Sequence, residues 1–303
     1  MALVSAWNDS GGGFLARLLD SHPRAAVWPF ELQLGTAHRH DAWSGVIHAQ
    51  YRWPFFPSVT DPAALFDMII DKELKSTLTG VAPPKFDRFK VEVDLERWRR
   101  RFCGTDLGHY NRRRMVAAYI DSFFAELNGP NSASDVAVGH CPCVIVDTDE
   151  ILADFADARI IHLVRDPVAG LADFRLRHAG FDARTFADRW IKVNGAAARA
   201  CERWPSSVLL IRFEDLLKDR LTVMPAVLNH LGLPHDAVVL SPTWLGRAVD
   251  ENAMGPFGGI AAVSLDHERD AVSSIPKDEA RILRSLADET QALLNLCMNA
   301  TRA

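Results

Sequence analysis

The amino-terminal stretch constrains the fold of this chain more than any other feature. An apolar run over residues 2–7 is followed by a polar, glycine-rich loop and then by apolar residues at helical spacing. The loop and the first residue after it are Asn8, Asp9, Ser10, Gly11, Gly12, Gly13 and Phe14. This order predicts a buried strand, a tight turn and the start of a helix.

The three successive glycines also suggest a chemical role for the loop. Because glycine has no Cβ, the backbone N–H groups of residues 11–13 can approach an anion closely, and the start of the helix adds partial positive charge. Such a loop is suited to bind a phosphate or a sulfate. A plain strand-to-helix turn explains the same glycines, so the loop alone leaves both interpretations open.

Strand patterns alternate with helical patterns along the rest of the chain. Strands are predicted over 25–28, 136–139, 159–164 and 208–213, with a short extended piece over 89–93. The longer predicted helices cover 62–78, 111–127, 186–203, 221–231 and 276–299. This alternation is typical of an α/β fold with a central parallel sheet flanked by helices. No repeat or linker divides residues 1–303, which predicts a single domain.

Composition excludes several classes of function. Of the 303 residues, 48% are hydrophobic and 24% are charged, and the net charge of −5 argues against a nucleic-acid partner. No apolar run reaches the roughly 18 residues of a membrane-spanning helix. The five cysteines lack a framework spacing, which indicates reduced thiols. With no leader pattern before the first strand, these features predict a cytoplasmic protein.

Polar side chains follow several predicted strands, at the sheet edge where open parallel sheets bind ligands. Arg165 directly follows the strand over 159–164, and His140 follows the strand over 136–139. The planar fork of an arginine suits two phosphate oxygens. A salt bridge to Asp166 is the alternative role of Arg165.

Five motifs, in order, resemble those of the sulfotransferase family. They are the Ser10-Gly11 loop with its helix and His22-Pro23 pair, the Gly139-His140-Cys141-Pro142 turn, the Arg159–Pro167 strand and loop, the Val208–Pro234 strand and helix, and the Pro242–Asn252 loop. The match spans residues 3–22 and 136–255. Residues 33–130 lie outside it, and the resemblance implies that they form a variable, mostly helical, acceptor-side insertion.

The resemblance implies a P-loop-like three-layer fold. It also implies transfer of a sulfuryl group from 3′-phosphoadenosine 5′-phosphosulfate to a hydroxyl or amine of a small molecule, glycan or lipid, without a metal. Residues 8–14 would hold the 5′-phosphosulfate, and Arg165 would hold the 3′-phosphate. Asp173, Phe213 and Arg247 occupy further cofactor positions of the family pattern.

Two residues are candidates for the catalytic base. Glu31 stands shortly after the His22-Pro23 pair, near where members of the family keep a general-base glutamate, and would take the acceptor proton. A strand-end carboxylate is its alternative role. His140 replaces a lysine and could act as the base, as a neutral hydrogen-bond donor or as an imidazolium toward the leaving group.

Two acidic residues depart from the family pattern. Asp9 stands where a lysine or arginine is usual, and Asp173 replaces a serine. Since like charges in a poorly solvated site cost energy, positive charge must come from elsewhere. The candidates are Arg17, Lys85, Arg175, Arg177, Arg247 and His140. A nucleotide- or glycan-binding relative without transfer activity therefore stays open. A P-loop phosphotransferase is disfavoured because the chain has no Gly-Lys-Ser/Thr loop.

Overall fold

A five-stranded parallel sheet forms the centre of the molecule in the computed structural model. The strand order is β2-β3-β1-β4-β5. The strands are β1 (Ala2–Ala6), β2 (Ala25–Glu31), β3 (Val136–His140), β4 (Arg159–Val164) and β5 (Val208–Arg212). The structure describes residues 1–36, 39–56, 61–70, 72–79, 91–105, 107, 111–128, 134–249 and 264–300. The predicted α/β fold with a central parallel sheet is confirmed.

Helices cover both faces of the sheet. They are α1 (Gly12–Leu19), α2 (Pro62–Ile69), α3 (Lys72–Leu78), α4 (Leu95–Cys103), α5 (Arg112–Asn128), α6 (Thr148–Asp154), α7 (Pro167–Arg177), α8 (Ala183–Arg203), α9 (Phe213–Lys218), α10 (Arg220–Leu231), α11 (Leu265–Ser274) and α12 (Lys277–Ala300). Because side chains alternate along a strand, Leu3 of β1 joins one hydrophobic core and Val4 joins a second on the opposite face. Within the described ranges, no helix is apolar over the length needed to cross a bilayer.

Several elements differ from the sequence-based expectation. The single helix predicted over 62–78 is two helices, α2 and α3. Residues 91–93 are irregular rather than extended in a sheet, and residues 89–90 lie outside the described ranges. The short helices α9 and α11 were not predicted. Helix α9 begins immediately where β5 ends, and its six residues are too few to show a helical period.

The helices between β2 and β3 attach to the sheet through aromatic side chains. The ring of Trp28 in β2 lies 4.3 Å from that of Phe123 in α5 and 6.0 Å from that of Trp98 in α4. The indole N–H of Trp98 donates to the hydroxyl of Ser122 at 3.1 Å. These contacts bury large apolar areas, which stabilises the attachment.

A buried ion network fixes the irregular segment that follows β2. Asp147 accepts hydrogen bonds from Nε of Arg52 at 2.9 Å, from Nη2 of Arg39 at 2.9 Å and from the backbone N–H of Trp53 at 2.7 Å. Both Asp147 and Arg52 are almost fully buried. The indole N–H of Trp53 also donates to Asp154 at 2.7 Å. Trp53 and Phe56 are both buried in the hydrophobic core.

We expect Asp147→Ala to lower the free energy of unfolding by about 3 kcal/mol, because it removes the buried partner of the Arg52 guanidinium and leaves that guanidinium paired with the partly exposed Asp41. Chemical denaturation measures this change. Asp188→Ala removes the exposed ion pair with Lys192 and should change the unfolding free energy by less than about 1 kcal/mol. Equal losses in the two variants would contradict the structural role of the network.

Candidate functional site

The site lies at the carboxyl ends of three neighbouring strands. Strand β1 pairs with β3 on one side and with β4 on the other, in the registers Val4↔His140 and Ala6↔Leu163. The glycine loop after β1, His140 at the end of β3 and Arg165 after β4 therefore meet at one edge of the sheet.

Two of the three glycines are required by protein packing. Gly11 has φ +84° and caps α1, and a Cβ there would clash with the ring of Phe213. A Cβ on Gly12 would clash with the imidazole of His140. A Cβ on Gly13, by contrast, would come no closer than 3.9 Å to its nearest neighbour, Nδ1 of His140. The packing of the described residues accounts for Gly11 and Gly12, whereas it leaves space beside Gly13.

Arg165 is buried at the centre of the site and holds four segments together. Its Nε donates to Oε2 of Glu268 at 2.8 Å, and its Nη2 donates to the other carboxylate oxygen. Its Nη1 donates to the backbone carbonyl of Asp9 and lies 2.7 Å from Oδ2 of Asp173. The ring of Phe213 lies 5.3 Å from the guanidinium carbon, within cation–π range. The arginine and the glycine loop thus lie side by side.

The two acidic departures from the family pattern both have partners. The Asp9 carboxylate forms an ion pair with Arg177 of α7. Asp173 contacts Arg165 and also lies 2.9 Å from Nε2 of His267 in α11. Arg177 therefore lies near the loop but its charge is paired with Asp9, while Arg175 binds Glu279 and the carbonyl of Phe181.

His140 is buried against the glycine loop and is neutral. Burial, assisted by the positive charge of Arg17, lowers the pKa of His140 to about 3. The imidazolium form of the sequence-based prediction is therefore disfavoured at neutral pH, which leaves the neutral form. Arg17 is itself buried, and burial lowers its pKa to about 10. Its Nη2 donates to the carbonyl of Trp28 at 2.9 Å, whereas its Nη1 has no hydrogen-bond partner among the described residues.

Glu31 lies at the same edge of the sheet. It is the last residue of β2 and stands opposite His140 in the β2–β3 register. Its side chain is half-buried. Its negative charge adds to burial in raising the pKa of the Cys143 thiol. Its role as the base stays a prediction.

The remaining predicted cofactor residues differ in what they offer a ligand. Ser10 is buried, and its hydroxyl lies 3.5 Å from the carbonyl of Asn8. The ring of Phe14 packs in the core, 4.9 Å from the guanidinium carbon of Arg220. Arg247 is exposed on the hairpin of β6 (Thr243–Trp244) and β7 (Arg247–Ala248). Lys85 lies outside the described residues. The cofactor contacts of all these residues stay predictions.

Sequence reasoning missed the two residues of α11 that complete the site, His267 and Glu268. Ser264 caps this helix by accepting a hydrogen bond from the backbone N–H of His267 at 3.1 Å. The serine cap is a sequence signal for the helix. The pairing of Glu268 with Arg165, more than a hundred residues earlier, has no local signal.

Asp173, His267 and Glu268 also place three potential metal ligands within 4.8 Å of one another. Both carboxylates already neutralise the guanidinium of Arg165, however. A metal ion among these ligands would have to displace the ion pairs of the buried Arg165 guanidinium, and the loss of those partners disfavours metal binding.

Comparisons with known proteins agree on one family. A family model described as the sulfotransferase family matches residues 9–237. The sulfotransferase domain from the curacin biosynthetic pathway has a TM-score of 0.54 at 17% identity, over 95% of this chain and 97% of that chain. The sulfotransferase domain of the Synechococcus PCC 7002 olefin synthase has a TM-score of 0.52 at 18% identity, over 94% and 93%. No curated protein sequence gives a significant match. The two structural likenesses show the shared fold alone.

The buried His140 predicts a specific pH dependence. Its pKa is about 3 in the folded protein, against the ordinary histidine value of 6.5 that applies to the unfolded chain. As the pH falls below about 6.5, the unfolded chain takes up a proton that the folded protein does not, so this part of the stability is lost on acidification. We expect His140→Asn to reduce the slope of the unfolding free energy by up to about 1.4 kcal/mol per pH unit between about pH 6 and 4.

Chemical denaturation of both proteins across this pH range measures the difference in slope. Equal slopes would show that His140 takes up its proton in the folded protein as readily as in the unfolded chain.

Proposed function

Because the chain belongs to the sulfotransferase family, we propose that it transfers a sulfuryl group from a nucleoside 5′-phosphosulfate to a hydroxyl or amine of a small molecule, a glycan or a lipid. One observation carries this proposal. A Cβ on Gly13 would meet no described atom closer than 3.9 Å, so the backbone at the amino end of α1 has space beside it at the ligand-binding edge of the sheet. The N–H groups at a helix amino end favour an anionic group such as a 5′-phosphosulfate.

The backbone of residues 11–13 and the amino end of α1 would stabilise the negative charge on the sulfuryl group during its transfer. During transfer, the bond from sulfur to the bridging oxygen of the donor breaks and a bond from sulfur to the acceptor oxygen or nitrogen forms. The nucleotide 5′-phosphate leaves with the electron pair of the broken bond. The acceptor proton passes to a base of the protein.

We assign the role of base to Glu31 rather than to His140. A histidine whose pKa is about 3 holds a proton too weakly to serve as an effective base near neutral pH. Neutral His140, beside Gly12 and Gly13, is instead suited to orient the loop or to donate one hydrogen bond. Glu31 stands opposite His140 at the same sheet edge, where an acceptor could reach it.

The donor that the family resemblance implies, 3′-phosphoadenosine 5′-phosphosulfate, fits one part of the site better than the other. Its 5′-phosphosulfate suits the loop, because Gly13 leaves the backbone accessible. Its 3′-phosphate does not fit Arg165 as this side chain is held, since the guanidinium is 3% exposed and already binds two carboxylates. The proposed reaction requires only the 5′ end of the donor.

The second candidate function is nucleotide binding without transfer. Asp9 and Asp173 stand where the family resemblance expects the two phosphates, and their carboxylates favour this alternative because they neutralise the neighbouring cations Arg177 and Arg165. A transfer assay separates the two functions.

We expect the protein to move a radiolabelled sulfuryl group from adenosine 5′-phosphosulfate, or from its 3′-phosphorylated form, to at least one member of a panel of phenols, sugars, alkyl alcohols and amines. Glu31→Gln should lower kcat/KM by about 100-fold or more. The matched control Glu279→Gln, which breaks the ion pair with Arg175, should keep the activity. Full activity of Glu31→Gln would place the base elsewhere, and nucleotide binding without transfer would favour the second function.

Gly13→Ala tests whether the loop is a nucleotide cradle. Because a Cβ there has space within the protein, we expect the unfolding temperature to stay within a few degrees of the original. The same Cβ would stand between the backbone and a bound 5′-phosphate, so we expect adenosine 5′-monophosphate to bind about tenfold more weakly in calorimetric titration. Unchanged affinity in the folded variant would argue against close approach of a phosphate to residue 13.

A further inference from the structure

The electrostatic state of Arg165 bears on which nucleotide the site accepts. Nε and Nη2 each donate one hydrogen bond to Glu268, and Nη1 contacts the carbonyl of Asp9 and the carboxylate of Asp173. The Arg165 side chain is 3% exposed, whereas that of Asp173 is 13% exposed. We call Arg165, Asp173 and Glu268 together the Arg165 subsite. A ligand that reaches this subsite therefore contacts a carboxylate before it contacts the guanidinium.

We propose that this subsite recognises a ribose hydroxyl and rejects a 3′-phosphate, with Asp173 and Glu268 as the residues that determine this specificity. The inference rests on the proposed function, because it assumes that a nucleotide binds at the glycine loop with its ribose near Arg165. It names the donor class as a nucleoside 5′-phosphosulfate with a free 3′-hydroxyl.

The net charge of the subsite favours an uncharged ligand group over a phosphate. Asp173 and Glu268 bring two negative charges against the one positive charge of Arg165. Asp9 and Arg177 cancel each other. His267, paired with Asp173, would bring the sum only to zero if it were protonated. A dianionic phosphate is repelled by such a group of charges, whereas a hydroxyl can donate a hydrogen bond to a carboxylate.

Dinucleotide-binding proteins also use a carboxylate to distinguish a ribose hydroxyl from a ribose phosphate. A carboxylate there accepts a hydrogen bond from a ribose hydroxyl, while an arginine accommodates a phosphate at the same position. In this protein the arginine is present, but its guanidinium nitrogens already bind carboxylates from helices α7 and α11.

The packing of α11 makes Glu268 a fixed part of the subsite. Glu268 is buried, and Ala271 and Ile275, which follow it, are buried in the same core as Phe174 of α7. His267 joins α11 to α7 through Asp173. A phosphate could take the place of the Glu268 carboxylate only if the Glu268 side chain changed its rotamer or this end of α11 moved away from Arg165.

Calorimetric titration of the protein with two nucleotides tests the proposal. Adenosine 5′-monophosphate and adenosine 3′,5′-bisphosphate share the base, the ribose and the 5′-phosphate, and differ only in the 3′-phosphate. We expect the unmodified protein to bind the monophosphate at least about tenfold more tightly than the bisphosphate. We expect Asp173→Ser combined with Glu268→Gln to reverse this preference. Glu279→Gln, a matched change outside the subsite, should leave it unchanged.

The outcomes separate this proposal from the proposed function. Equal affinities in the unmodified protein, or tighter binding of the bisphosphate, would overturn the specificity while leaving the sulfuryl-transfer proposal intact. Binding of neither nucleotide to any of the proteins would overturn both. The comparison within the unmodified protein needs no variant, so it decides the matter even if the double variant fails to fold.

Discussion

The burial of one guanidinium organises this site. Arg165 emerges from β4 and binds the loop after β1, helix α7 and helix α11, while its face packs on Phe213. A buried charge without partners is strongly destabilising, so these contacts are needed once the arginine lies in the interior. The same contacts determine the charge that the site presents to a ligand. They bring the cation beside the glycine loop, and they also neutralise it.

The glycine loop shows how packing and ligand binding can be separated at single positions. Gly11 and Gly12 are adjacent to Phe213 and His140, which fill the space that a Cβ would need. These two glycines would be required in a protein that binds nothing. Gly13 has no such neighbour among the described residues, so it is the position at which a ligand offers the better explanation. The loop is thus both a structural turn and a candidate anion-binding loop. Packing explains Gly11 and Gly12, whereas ligand binding explains Gly13.

Much of the fold could be predicted because its signals are local. Buried strands such as β4 are continuous apolar runs, and long helices such as α8 show a clear period. Helix α9 has too few residues to show one. Helix α11 has charged residues at four of its ten positions, and its burial of Glu268 is decided by a partner distant in sequence. The placement of Arg165 beside the loop followed from parallel strand order, whereas the neutralisation of its charge did not.

The sequence by itself determined the parallel α/β architecture, the family and the two chain segments that meet at the site, since these depend on hydrophobic pattern and short motifs. Only the tertiary structure decided the electrostatic state of that site. Asp9 is paired with Arg177, His140 is neutral, and Arg165 is bound by Asp173 and Glu268. The physical reason is that burial and partner choice set the charge of an ionisable group, and both arise from contacts between residues far apart in the chain.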